Sequence, residues 1–169
     1  MKNRITSSSS LPFLAEAYHS EIAGEWMFRV LARLTRNTGQ RHCWQGLVSL
    51  ERQTQGLLLE HAAGVRYSCT RRIGARLLGG LYGLALGMLP STTAMEILAK
   101  AAAPFLEDYT RFAQHCHRDD HWLAAYLRDH EQAILDCTEW VRQGDWIAAI
   151  AVIDRLILCH LNQVIAKPL

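Results

Sequence analysis

Two long stretches either side of the turn Asn37-Thr38-Gly39 carry apolar residues at spacings of three and four, and glutamates fall on the same stripes. Leu14, Tyr18, Glu21, Glu25, Phe28 and Ala32 form one stripe, and Trp44, Leu47, Glu51, Thr54, Leu58 and His61 form the other. That period predicts helices and turns acids toward a helix–helix contact. A carboxylate taken out of water needs a cation, a proton or several donors. The chain is therefore expected to fold around a polar centre that must be compensated from within.

Half of the 169 residues are apolar, a fifth are charged and only four are proline. With little alternating Val-Ile-Thr pattern, this composition predicts an all-α protein. The length suits one helical domain over residues 11–169, preceded by a polar tail, residues 1–10, whose serines offer an N-cap. The first helix is expected from Leu11 to Arg36, ending at Asn37-Thr38-Gly39, and the second from Arg41 to Ala63. A basic irregular segment, VRYSCTRRIG, leads into a Gly-rich helical piece reaching Met88, and Pro90-Ser91-Thr92 opens a long helix to His117. Asp119-Asp120 begins another long helix that stops before Gly144. A last helix, Asp145 to Ile165, carries Trp146, Ile150, Ile153 and Ile157 on one face, expected to cover the bundle or a second copy in a homodimer.

A formal charge of +2 with scattered cations gives no nucleic-acid footprint. Five cysteines without a Cys-x-x-Cys pair, and no secretory leader, point to a reducing, cytoplasmic setting. Leu77 to Met95 lacks charge and approaches membrane-spanning length, but PSTT interrupts it, so a buried connecting helix is expected and a membrane span is not. No phosphate loop, nucleophile elbow or dinucleotide fingerprint occurs, leaving kinase, hydrolase and Rossmann chemistry without support. His115-Cys116-His117 with His121 has no complete tetrahedral ligand spacing and reads as a solvated junction.

Glu25 and Glu51 lie about thirteen residues either side of position 38, roughly 20 Å along each helix at about 1.5 Å per residue. Glu107 and Glu131 lie about twelve residues from Asp119, so all four acids are expected at mid-bundle, with His130 beside them. Glu21 rivals Glu25 one turn earlier, and Asp108 rivals Glu107. Convergent carboxylates with one imidazole suit iron or manganese. The alternative is a metal-free network in which Arg29, Arg33, Arg52 or Arg128 neutralise the acids.

One glutamate on each of four long helices resembles the ferritin-like di-iron carboxylate superfamily over residues 11–141. The resemblance implies a four-helix bundle with a long helical crossover, here followed by an extra helix, and a centre of two iron ions, or manganese, held by Glu25, Glu51, Glu107, His130 and Glu131. It implies a di-iron oxidase, a hydroxylase or a metal store, and oxidative chemistry on a small apolar molecule is the preferred expectation. In that superfamily two helices carry Glu-x-x-His; here Thr54 follows Glu51 and Ile134 follows Glu131, so both histidine places are otherwise filled. A metal-free scaffold and a membrane-peripheral protein using Leu77 to Leu89 are the other expectations.

Overall fold

The computed structural model describes residues 11–61 and 69–165. The expected tail, its capping serines and most of VRYSC lie outside that range. The described residues form α1 (Leu11–Leu34), α2 (Thr38–His61), α3 (Cys69–Gly87), α4 (Ser91–His115), a 3-10 turn (Arg118–Asp120), α5 (His121–Arg142) and α6 (Trp146–Ile165), with no strand among them. The all-α expectation holds at that level.

Thr38 and Gly39 begin α2 instead of ending α1, because Asn37 is the cap: its side-chain oxygen accepts from Gln40 N at 2.9 Å. Arg41 then reaches back to the Thr35 carbonyl at 2.8 Å, and Trp44 Nε1 donates to Thr35 Oγ1 at 3.1 Å. These bonds tie the two helices at one end. At the α5–α6 junction Gly144 takes φ 80°, a left-handed conformation that costs glycine little, and Asp145 caps α6 through Ala148 N at 2.9 Å.

α1 packs along α2, α4 along α5, and α2 meets α5, so four long helices surround one core. α6 lies over α2 and α5, burying Ala149 and Ile153 against its own chain; a Cβ on Gly46 would sit 3.5 Å from Ile153. α3 packs almost wholly on α1. Gly79 and Gly83 face it so closely that a Cβ would stand 2.0 Å from the Ala23 carbonyl oxygen and 2.6 Å from that of Met27. The crossover is thus a helix laid backbone to backbone on the outside of α1, while its side chains Leu77, Leu81 and Leu84 are exposed. The sequence expectation of a buried connecting helix is corrected there: only the glycine face is covered.

The core divides into two apolar clusters. Phe28, Leu31, Trp44, Leu47, Met95, Leu98, Ile134 and Ile153 belong to one, and Leu14, Tyr18, Leu58, Tyr109, Leu123 and Leu127 to the other. In α1, α2 and α5 the stretch between the two holds Glu21 and Glu25, Glu51 and Thr54, and His130 and Glu131. All six are buried, so a polar layer separates two dry halves.

Candidate metal centre

Register explains which side chains meet. In α5 the buried positions Leu123, Leu127, His130, Ile134, Cys137 and Val141 alternate by four and three, so His130 occupies a core position as firmly as its leucine neighbours do. Its ring is 1% exposed. His130 Nδ1 lies 2.9 Å from Thr54 Oγ1, and that hydroxyl donates to its own helix at Leu50 O, 3.0 Å away. With its proton committed to Leu50, Thr54 can only accept from His130, which places the ring hydrogen on Nδ1 and turns Nε2 to the other side.

Two carboxylates wait there. Nε2 is 3.2 Å from Glu21 Oε2 and 3.8 Å from Glu51 Oε1, and Glu21 Oε2 makes no aligned hydrogen bond. One donor atom from each of Glu21, Glu51 and His130 lies within 4.8 Å of the other two. Ligands about 2.1 Å from an ion stand about 3 to 4 Å from one another, so this buried group could hold a metal with little movement. Among the described residues it is the one His/Cys/Asp/Glu group so arranged, and the His115–His121 tract does not converge.

Burial pushes the Glu21 carboxyl well above its ordinary range, with the neighbouring Glu51 adding to the rise and His130 opposing it. Burial lifts Glu51 to about 8, helped by Glu131 and Glu25 and offset in part by its contact with Glu21. Glu131 also rises to about 8 through burial, lowered by His130 and raised by Glu21. The physical content is the same for all three: negative charge gathered out of water, lacking a full positive complement. Burial and the same three acids raise the Tyr109 phenol, opposed by the nearby Ser20, and its buried hydroxyl makes no closely aligned hydrogen bond.

Glu25 goes elsewhere. Although buried, its Oε1 is 2.7 Å from Arg29 Nη2 and 2.7 Å from Arg52 Nε, and its Oε2 accepts from Gln55 at 3.0 Å. The arginine network therefore forms at Glu25, and the convergent glutamate of α1 is Glu21, one turn earlier. Glu107 is exposed. The α4 stripe runs through Met95, Leu98, Ala102 and Tyr109, which leaves position 107 on the solvent side and sends a phenol inward in its place; Asp108 is exposed too. Glu51, His130 and Glu131 lie in the buried layer where the sequence put them.

Gly24 is a further part of the site that periodicity did not mark. A Cβ there would stand 2.7 Å from Glu51 Oε1, so the missing side chain is the space the carboxylate occupies. The readable signal was a glycine inside a helix one turn from Phe28. A separate buried pair, His61 Nε2 and Asp120 Oδ1 at 2.6 Å, ties the end of α2 to the start of α5 and stands outside this cluster.

A cavity of about 850 Å³ lies between α1 and α4 under α3. Phe13, Ala17, Met27, Leu98 and Phe105 form much of its wall, with Glu21, Glu51, Tyr109 and Glu131 at its polar end. The Phe13 ring in that wall lies near Phe112, with ring centres 4.6 Å apart. The cavity is large enough for a small organic molecule. No family model, curated protein or solved structure matches the chain. The described residues form six α-helices with a buried Glu-Glu-His cluster beside an apolar cavity.

Proposed function

We propose that Glu21, Glu51 and His130 bind one divalent iron or manganese ion, and that the protein is a metal-dependent oxidase or hydroxylase of a small apolar molecule. The observation that carries the proposal is the facing of a buried imidazole nitrogen and two buried carboxylates at 3.2 and 3.8 Å. A lone pair opposite two acids is repulsive unless a proton or a metal ion lies between them, and the three ligand atoms leave room for the latter. Two oxygens with one nitrogen suit iron or manganese better than a thiolate-seeking ion. With Glu25 bonded to two arginines and Glu107 exposed, the remaining ligands suit one ion better than the two expected of a ferritin-like centre.

The bound metal would supply dioxygen activation, with dioxygen as oxidant; hydroxylation would also consume two electrons from an external reductant. The chain's own contribution is position and environment. Thr54 holds the His130 ring in the ligating tautomer. Gly24 admits the Glu51 carboxylate, and Glu131, its carboxyl near 8, can keep or release a proton beside the substrate end of the cavity. Tyr109 presents its buried hydroxyl beside Glu21 at the same end. The apolar wall selects an apolar guest and excludes water from it.

Metal analysis of protein produced with iron or manganese tests the assignment. About one ion per chain is expected in the wild type, and at least a hundredfold weaker binding in Glu21→Ala and His130→Ala. No metal above background in correctly folded wild type overturns the proposal, and retention of zinc alone removes its oxidative part. A Thr54→Val variant keeps the shape but not the acceptor for Nδ1. Metal affinity is expected to fall about 10- to 100-fold with the helix content unchanged; an unaltered titration would show that Thr54 does not orient the ring.

The second reading, a metal-free helical scaffold, is favoured by one feature: Glu25 shows that this chain neutralises a buried acid with Arg29, Arg52 and Gln55. Its signature is wild-type stability indifferent to every divalent ion.

A further inference from the structure

α3 has its polarity reversed for a helix on the outside of a bundle. Gly79 and Gly83 lie against α1, while Ile73, Leu77, Leu81 and Met88, spaced by four, four and seven, are 60, 65, 65 and 81% exposed. That spacing sets Ile73, Leu77 and Leu81 along one outward face of α3, and Met88 lies exposed just past its end. No helix among the described residues is long and apolar enough to cross a membrane.

The charge of this segment of chain is one-sided, while the exposed acids Glu16 and Asp108 of α1 and α4 line the cavity beside it. Between positions 61 and 95 the chain has Arg66, Arg71, Arg72 and Arg76 and no aspartate or glutamate. Arg76 is exposed at the start of the apolar face, 5.8 Å from the Trp26 ring centre, and Arg72 lies over Tyr18. A second copy docking through the same face about a two-fold axis would bring its Arg76 toward this one, like charge against like. An anionic lipid surface offers the opposite charge at the headgroups and hydrocarbon beneath them.

We infer that α3 is a membrane-surface element, with Ile73, Leu77, Leu81 and Met88 inserted among the acyl chains of an anionic bilayer and Arg76 at the headgroups. The cavity adjoins this face. Leu78 and Tyr82 on α3 and Phe105 on α4 are exposed and also line it, so its mouth opens beside the inserted residues. Resting on the oxidase reading, this placement names the substrate class: a lipid-soluble molecule that passes from the bilayer into the cavity without crossing water. Docking itself does not depend on the metal.

Co-sedimentation with vesicles of phosphatidylcholine alone, or with about 30 mol% phosphatidylglycerol, tests the inference. Binding about tenfold stronger to the anionic vesicles is expected, weakening as salt is raised. L77E/L81E should bind at least tenfold less while melting as the wild type does, since both leucines are mostly solvated already. R76E, a separate variant, should lose selectivity for the anionic vesicles. His130→Ala should bind vesicles as the wild type does, so that failure of the metal centre and failure of docking are told apart. Wild type that stays in the supernatant, or L77E/L81E that sediments undiminished, overturns the inference. A vesicle-indifferent wild-type dimer converted to monomer by L77E/L81E also overturns it and assigns the face to a second copy.

Discussion

Metal-free protein carrying Glu51→Gln is expected to melt well above metal-free wild type at pH 8, and to lose most of that advantage near pH 4.5. The sign follows from the proton. In the folded chain Glu51 holds its proton up to about pH 8, whereas its ordinary value is 4.5. The folded state therefore binds more protons than the unfolded state between those limits, and its stability falls as pH rises through that window. Below 4.5 both states are protonated and the contribution is fully present; above 8 it is gone. The full interval corresponds to roughly 5 kcal/mol, and coupling with Glu21 and Glu131 spreads it over the cluster, so an effect on the order of 2–5 kcal/mol is expected for this one replacement.

Glutamine is the informative substitute because its amide can donate to Glu21 as a protonated Glu51 would, without ever ionising. In a protein of this size the expected gain is on the order of 10 °C at pH 8. Added manganese or ferrous iron should raise the wild-type melting temperature and leave the variant where it was. A melting difference that stays constant from pH 4.5 to 8 would show that Glu51 is not held protonated by its surroundings. A metal site at this position would be bought with stability, which is the usual relation between a buried functional acid and the fold around it.

Gly79→Ala is expected to destabilise the protein by about 3 kcal/mol or more, although alanine is the better helix former. A methyl group at this position would stand 2.0 Å from the Ala23 carbonyl oxygen and 2.8 Å from its carbon. Both are backbone atoms of α1 and cannot rotate away, so relief requires α3 to lift from α1. Gly80, the next residue, has nothing within 4 Å of the corresponding position. Gly80→Ala should therefore be neutral or stabilising by up to about 1 kcal/mol through the unfolded chain's lost freedom. Urea unfolding of the two variants side by side decides the matter; equal midpoints would mean that α3 does not approach α1 this closely. Because α3 roofs the cavity, Gly79→Ala should also weaken capture of an apolar fluorescent ligand, and Gly80→Ala should not.

Both predictions depend on features that periodicity reaches only in part. The helices of this chain were readable because their apolar spacing repeats over five or six turns, and the inward direction of Glu51 follows from the stripe that contains it, whereas Glu131 and its neighbour His130 were placed only by level along their helix. Glu21 and Glu25 share a stripe and are both buried. Arg29, one turn after Glu25, favours that acid for pairing, and Arg52 and Gln55 of the neighbouring helix complete the choice by reaching Glu25. Glu107 was placed by its distance from a turn, a measure of level along the helix and not of rotation about it. The residues Met95, Leu98, Ala102 and Tyr109 set the rotation and put Glu107 outside.

What the amino-acid order determined by itself is the set of helices and which side of each avoids water, because both arise from neighbours three and four residues apart. Only the tertiary structure decided that His130 faces Glu21 and Glu51, that Gly24 makes room for one of those acids, and that α3 turns Gly79 and Gly83 inward and Leu77 and Leu81 outward. Those are contacts between helices, settled by how closely two backbones approach and by which charges then come within reach. No spacing along one strand of residues carries that information.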